Sequence, residues 1–270
     1  MLRGDVKKQL RVLPLFRDCF SLLDHWRMRR YFDKIGMSRL EERARQTLPL
    51  SVMKGPFAGL KLLSHACGSV WIPKILGCYE IELASAVEEI VLANPDVIVD
   101  VGCAEGYFAV GFACRANQAR VVAADTNPVA RGMVRKMAHL NHVGNRMETN
   151  GWITCQKLEL LLAAANRPVV WCDIEGGEWE LLDPLKVPSL RKARILVEDH
   201  RHITNLPSSE LADRFSATHD CRFIEQSARN AADWIPQDWM TGLNRNDQEL
   251  PMAELRPPGQ KWIYMTPKAD

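Results

Sequence analysis

The sequence contains no C-x-x-C pair, no internal repeat and no low-complexity segment. It also has no apolar run of the roughly 18 residues that a membrane-spanning helix needs. Without paired cysteines, zinc ribbons and dithiol redox motifs have no support. The eight cysteines stand at positions 19, 67, 78, 103, 114, 155, 172 and 221. Several sit inside apolar runs, such as Cys114 in "GFAC" and Cys172 in "VVWCD", where a thiol acts as a small hydrophobe. Reduced thiols and a cytoplasmic setting are the expectation. The first residues, "MLRGDVKKQLRVLPLFRD", lack the uninterrupted apolar core of a signal peptide. Excess charge is missing too: 35 basic against 33 acidic side chains give +2. That balance offers no electrostatic footprint for nucleic acid.

What is present is ordinary globular material. The chain has 270 residues, 47% hydrophobic and 25% charged, enough for one large core. Residues 1–77 read as a basic helical extension followed by a Gly- and Pro-rich region with loops and short strands. The stretch "FRDCFSLLDHWRMRRYFDKI" and then "SRLEERARQT" carry the helical pattern, with Ser38, Glu41 and Glu42 as a capping box. The extension is either a solvated face packed on the main domain, where it would lid a ligand cleft, or a surface for an acidic partner, a membrane or RNA. Residues 78–270 read as one α/β domain. A helix is expected over "YEIELASAVEEIVLANP", ending before Pro95.

From Val97 onward, short β-branched runs alternate with helical stretches. Strands are expected at 97–101, 120–125, 146–153, 168–173 and 193–199, and helices at 106–116, 128–142, 155–165 and 178–183. Continuous apolar strands between helices indicate a parallel sheet covered on both faces. Two further strands, 221–226 and 261–267, flank a polar insertion at 227–259 and complete an expected seven-stranded sheet with an antiparallel edge.

The chemistry concentrates around "VIVDVGCAEGYF". An apolar strand ends at Asp100 and a helix opens after Gly106, with Gly102, Ala104 and Glu105 in the turn between them. Ligands of open α/β sheets bind beyond the carboxyl ends of the strands. The dinucleotide fingerprint G-x-G-x-x-G fails here, because Ala104 and Tyr107 occupy its second and third glycine positions. Asp100 and Glu105 suit a cationic ligand, an ammonium or sulfonium, rather than a pyrophosphate. The next strand ends on Asp125, an acid placed to accept ribose hydroxyls. Asp125, Thr126 and Asn127 also precede Pro128, so a helix cap is the competing reading.

Together "DVGCAEGYF", "AADTNP", "HLNHVGN", "DIEGGEWELL" and "ILVEDH" resemble the class I S-adenosylmethionine-dependent methyltransferases, most closely the FkbM-type family. The resemblance spans roughly residues 78–225. It implies a Rossmann-like methyltransferase fold, with seven mostly parallel strands, an antiparallel last strand and the N-terminal helical extension. It implies S-adenosylmethionine as cofactor. Gly102, Ala104 and Gly106 would pass near its methionine part, Asp100 or Glu105 would face its ammonium, and Asp125 with Thr126 would meet the ribose. Asn150, Gly151 and Trp152 would flank the adenine. The sequence departs from the family where Trp171 replaces a usual lysine before Asp173, which points to a different substrate.

Transfer of a methyl group to an alcohol needs a base. His200 is the candidate, with His202 competing; Asp173 would orient base or acceptor, and Glu198, at the end of the fifth strand, is a further catalytic candidate. Asp173 and Glu175 read alternatively as caps of the helix that follows. A Mg2+ version would draw oxygen ligands from Asp173 with Glu198 or Asp199; the primary reading uses no metal. Trp234 and Trp239 in the insertion would either stack on a sugar or aromatic acceptor or anchor the loop. Thr218 and His219 have only a turn hydrogen bond to offer. The expected activity is O-methylation of a small-molecule or glycan hydroxyl, with no nucleic-acid partner and a possible homodimer. The alternatives left open are a non-catalytic methyltransferase-like binding module and an NAD-dependent oxidoreductase. A nucleic-acid methyltransferase finds no N/D-P-P-Y/F/W motif.

Overall fold

The computed structural model describes residues 28–200, 208–241, 243, 247–256 and 259–268. His202 and most of the first basic helical stretch lie outside them. The core is one seven-stranded sheet of order β3-β2-β1-β4-β5-β7-β6. Its strands are β1 (Val97–Val101), β2 (Arg120–Ala124), β3 (Met147–Asn150), β4 (Pro168–Cys172), β5 (Arg194–Glu198), β6 (His219–Glu225) and β7 (Lys261–Pro267). The first five run parallel, and β7 is antiparallel to both β5 and β6. This is the Rossmann-like methyltransferase fold expected from the sequence. The chain inserts β7 between β5 and β6, so the outermost strand is the sixth.

Val and Ile recur in the inner strands β1, β2, β4 and β5, because a pleated surface buried on both sides favours stiff, apolar side chains. Alternate residues feed two cores. Ile98, Val121, Val169 and Leu196 face one side. Val99, Val122, Val170 and Ile195 face the other. Helices α1 (Met37–Thr47), α2 (Ile72–Leu76), α3 (Ala84–Leu92), α4 (Tyr107–Arg115) and α5 (Pro128–Leu140) contribute to the first core. Helices α6 (Cys155–Leu162), α7 (Glu178–Leu181) and α8 (Ser208–Phe215) contribute to the second. Residues 28–35 are helical as well.

The N-terminal half differs from expectation in its detail. Helix α1 starts after Gly36, whose left-handed φ of 86° turns the chain in, and no side chain caps it. Ser38 therefore lies inside the helix, and Glu41 and Glu42 instead receive Arg45 at 3.0 and 3.1 Å. The region before the sheet is more helical than expected, because Pro73 opens α2 and Gly77 closes it in left-handed geometry. Phe57 from this region packs edge-on against Tyr107, Phe108 and Phe112 of α4. The strands at 146–153 and 221–226 are observed as Met147–Asn150 and His219–Glu225. His219 is thus inside β6, where its Nε2 lies 2.8 Å from the Ala193 carbonyl oxygen and Thr218 meets its Nδ1 at 2.9 Å.

Register brings the functional strand ends level. Val101 lies beside Ala124 of β2 and Cys172 of β4, and Cys172 lies beside Val197 of β5. The chain therefore leaves four neighbouring strands at the same edge, around the point between β1 and β4 where strand order reverses. That point is where an open α/β sheet offers a crevice.

Candidate functional site

A cavity of about 780 Å³ opens along this edge. Its wall includes Asp100, Gly102, Ala104, Asp125, Thr126, Gly151, Asp173, Glu198 and His200. The structure thus brings together most of the residues singled out in the sequence. Met28 and Phe32 also line it, so the helical segment before α1 reaches the opening.

The glycine turn is shaped mainly by the protein's own packing. Gly102 has φ 88°, and a Cβ there would overlap the carbonyl oxygen of Asp173. The close approach that demands glycine is therefore to the β4 exit, which locks the two strand ends together. Gly106, at φ 96°, caps α4, with Val134 and Val110 where a side chain would go. Ala104 also takes a left-handed φ of 47°. Its N–H donates to Asp125 Oδ2 at 3.0 Å.

Asp125 is pinned twice, since its Oδ1 also accepts the Asn127 N–H at 2.7 Å. Asn127, not Asp125, caps α5 by accepting the Val129 N–H at 2.9 Å. The cap thus belongs to Asn127, and Asp125 stands on the cavity wall. Burial raises the Asp125 carboxyl above its ordinary range, and its backbone donors oppose that.

Asp100 and Glu105 separate. Glu105 Oε2 accepts the Cys67 N–H at 2.9 Å, and its Oε1 forms a buried ion pair with Lys74. Lys74 in turn lies 4.5 Å from the centre of the Tyr79 ring. Asp100 is 2% exposed, and its Oδ2 has no hydrogen-bond partner. Burial, then the charges of Asp173 and Asp125, holds its carboxyl well above the ordinary range. A buried acid with an orphaned oxygen on a cavity wall is poised to meet a donor. Of the two acids read from the sequence, Asp100 is the one left for a ligand.

Beyond the turn, His200 lies over the ends of β4 and β5. Its Nδ1 is 2.8 Å from Glu178 Oε1. Glu178 is 1% exposed and also accepts the Ile174 N–H at 3.0 Å and the Gly176 N–H at 2.8 Å. Sequence reasoning assigned the orienting role to Asp173 and missed Glu178. The one signal for it is an acid at the start of a short helix in "DIEGGEWELL". Asp173 and Glu175 do not cap that helix. They lie near the other ring nitrogen, Nε2, at 3.6 Å each. Burial alone would lower the His200 pKa, but the Glu178 hydrogen bond and the charges of Glu178, Asp173 and Glu175 raise it.

Glu198 is paired with Arg256. Burial and the charge of Asp173 raise its carboxyl in spite of that guanidinium. Asp199 is buried and lies outside the cavity wall among the described residues. Of the oxygens considered for Mg2+, those of Asp173 and Glu198 both stand on the cavity wall, and that of Asp199 does not. The ligand-type atoms that converge, within 4.8 Å, belong to Asp173, Glu175 and His200.

The insertion reaches the site through residues the sequence did not flag. Glu254, Leu255 and Arg256 line the cavity, with Gln260 just past the insertion, whereas Trp234 and Trp239 do not. Trp239 donates to Thr47 Oγ1 at 3.0 Å and carries Arg43 over its ring at 4.9 Å, so it anchors the insertion to α1. Trp171, which replaces the expected lysine, is buried and stacks on Phe108 with ring centres 4.2 Å apart. The seven described cysteines are free thiols. No described helix is long and apolar enough to cross a membrane.

No protein-family model and no curated protein matches the chain. Solved structures of similar fold include the O-methyltransferase from Bacillus cereus in complex with SAH, at 10% identity, covering 66% of this chain and 77% of that one, TM-score 0.42. A methyltransferase from Geobacter sulfurreducens has 13% identity, coverage of 66% and 75%, and TM-score 0.42. The precorrin 8W decarboxylase from Methanobacterium thermoautotrophicum has 20% identity, coverage of 66% and 87%, and TM-score 0.42.

Proposed function

We propose that the protein is an S-adenosylmethionine-dependent methyltransferase that methylates a hydroxyl oxygen of a small molecule or sugar. The observation that carries this reading is the pairing, in one cavity, of the orphaned Asp100 carboxylate with a histidine anchored through Nδ1. The residues fit the cofactor. Asp100 would take its ammonium, Asp125 the ribose hydroxyls, and the turn at Gly151 the adenine edge. The broken dinucleotide fingerprint and the acids at the turn count against NAD. The preference for oxygen rests on the FkbM-type sequence blocks.

When bound, S-adenosylmethionine supplies a methyl group on a sulfonium, open to direct displacement. The chain's part is to hold the acceptor in line and remove its proton. His200 would receive that proton at Nε2. Glu178, fixed by two backbone N–H groups, keeps Nδ1 as the donor and stabilises the imidazolium that results. Asp173, 3.6 Å from Nε2, would orient the acceptor hydroxyl or share the positive charge.

Calorimetric titration with S-adenosylmethionine, S-adenosylhomocysteine and NAD, each with and without Mg2+, tests the reading. Micromolar binding of the first two and none of NAD is expected. Absence of binding by all three would favour a non-catalytic binding module.

A further inference from the structure

The far wall of the cavity, away from the glycine turn, has a charge pattern with a direction. Arg256 is its one guanidinium among the described residues, and it is shared. It pairs with Glu80 and Glu198 and donates to Glu254 Oε2 at 3.0 Å. Asp173 and Glu175 add two more carboxylates at the β4 exit. Arg229 relieves Glu254 from behind, but it also serves Glu82 and does not line the cavity. Lys74 also lines the cavity, but beside the glycine turn, where it is committed to Glu105. Five carboxyl groups thus line this part of the cavity against one guanidinium among the described residues, and three of them, Asp173, Glu175 and Glu198, lie 3.6, 3.6 and 3.9 Å from His200 Nε2.

Burial and the neighbouring negative charges push the Glu80 carboxyl up to about 7 even with Arg256 beside it. Burial is the larger cause, and the charges of Glu254 and Asp173 add to it against Arg256. An anionic acceptor would enter against this field, and a cation would complete it.

A second feature points to oxygen on the ligand. Gln260 is 5% exposed, lines the cavity, and its side-chain nitrogen has no hydrogen-bond partner. A buried amide donor left open costs free energy unless a ligand oxygen accepts from it. Trp262 and Tyr79 supply apolar surface to the same cavity.

We propose that the acceptor is a small polyhydroxylated amine, its ammonium received by Asp173, Glu175 and Glu198 and one of its oxygens by Gln260. The proposal deepens the methyltransferase reading of this cavity and rests on it.

The test uses the full chain saturated with S-adenosylhomocysteine and three probes of one ring shape: D-glucosamine, D-glucose and D-glucuronate. Ligand-observed NMR titration measures each dissociation constant. Glucosamine should bind at least about tenfold more tightly than glucose, and glucuronate should not bind. Glu175→Gln should shrink the glucosamine preference. Gln260→Leu should weaken glucosamine and glucose alike and leave their ratio unchanged. Glucuronate binding as tightly as glucosamine, or no glucosamine binding at all, overturns the proposal. Failure of S-adenosylhomocysteine to bind would sink the cofactor reading instead, and the same ranking measured on the chain alone would still decide the charge preference.

Discussion

Glu178 Oε1 lies 2.8 Å from His200 Nδ1, across 22 residues of sequence and between two different strand exits. The contact fixes which ring nitrogen faces the cavity, because Glu178 is itself held by the Ile174 and Gly176 N–H groups. A carboxylate with nothing to adjust is a firm anchor for an imidazole.

Glu178→Gln should therefore change the pH dependence of turnover. Glu178 helps to raise the His200 pKa, so removing its charge lowers that pKa and moves the acidic limb of kcat/KM to lower pH. The amide also presents a donor to backbone donors, so kcat should fall about 10- to 100-fold. A pH–rate profile checks both effects. An unmoved limb with full kcat would remove Glu178 from the mechanism.

Asp125→Asn should weaken binding of S-adenosylhomocysteine by about tenfold or more, the scale of one lost charged hydrogen bond. The substitution keeps an acceptor for one of the two backbone N–H groups and sets an NH2 against the other. Calorimetry reads the affinity, and circular dichroism should be unchanged. Equal affinity would refute the ribose assignment.

Gly102→Ala should be destabilising by on the order of 3 kcal/mol or more, since positive φ and overlap with the Asp173 carbonyl act together. Denaturant unfolding measures the loss. A stability equal to that of the parent would show that the β1 and β4 exits do not need this contact.

Stability should decline between about pH 5 and pH 8. Glu80, Glu198 and Asp100 have raised folded pKa values, so each binds its proton more tightly folded than unfolded. Their stabilisation is complete below the unfolded value of about 4 and is lost as pH rises toward the folded value. His200, also raised, adds a loss above about 6.5. Arg256→Met should steepen the decline and cost about 3–5 kcal/mol at neutral pH, because buried carboxylates lose their shared partner. Thermal melts across this interval check the sign, and a rising Tm would contradict it.

The local sequence determined the sheet and the first wall of the site. Continuous apolar runs such as "VIVDV" between helical stretches are the pattern of a parallel sheet covered on both faces, and an acid at the end of each of the β1, β2 and β4 runs follows from position in the run alone. The pieces that sequence reasoning missed share one cause. Glu178 reads as an ordinary acid at a helix start, and its role appears only when β5 carries His200 beside it. Arg256 and Gln260 read as loop residues near two prolines, and they matter because β7 inserts next to β5 and draws the end of the insertion over the cavity. Glu105 looks equivalent to Asp100 until Lys74, 31 residues earlier, neutralises one and leaves the other open. Pattern along the chain reports which residues are buried and where strands end, because those depend on periodicity. Which charges meet is decided by long-range packing, since partners that share no local pattern find each other only when the sheet closes.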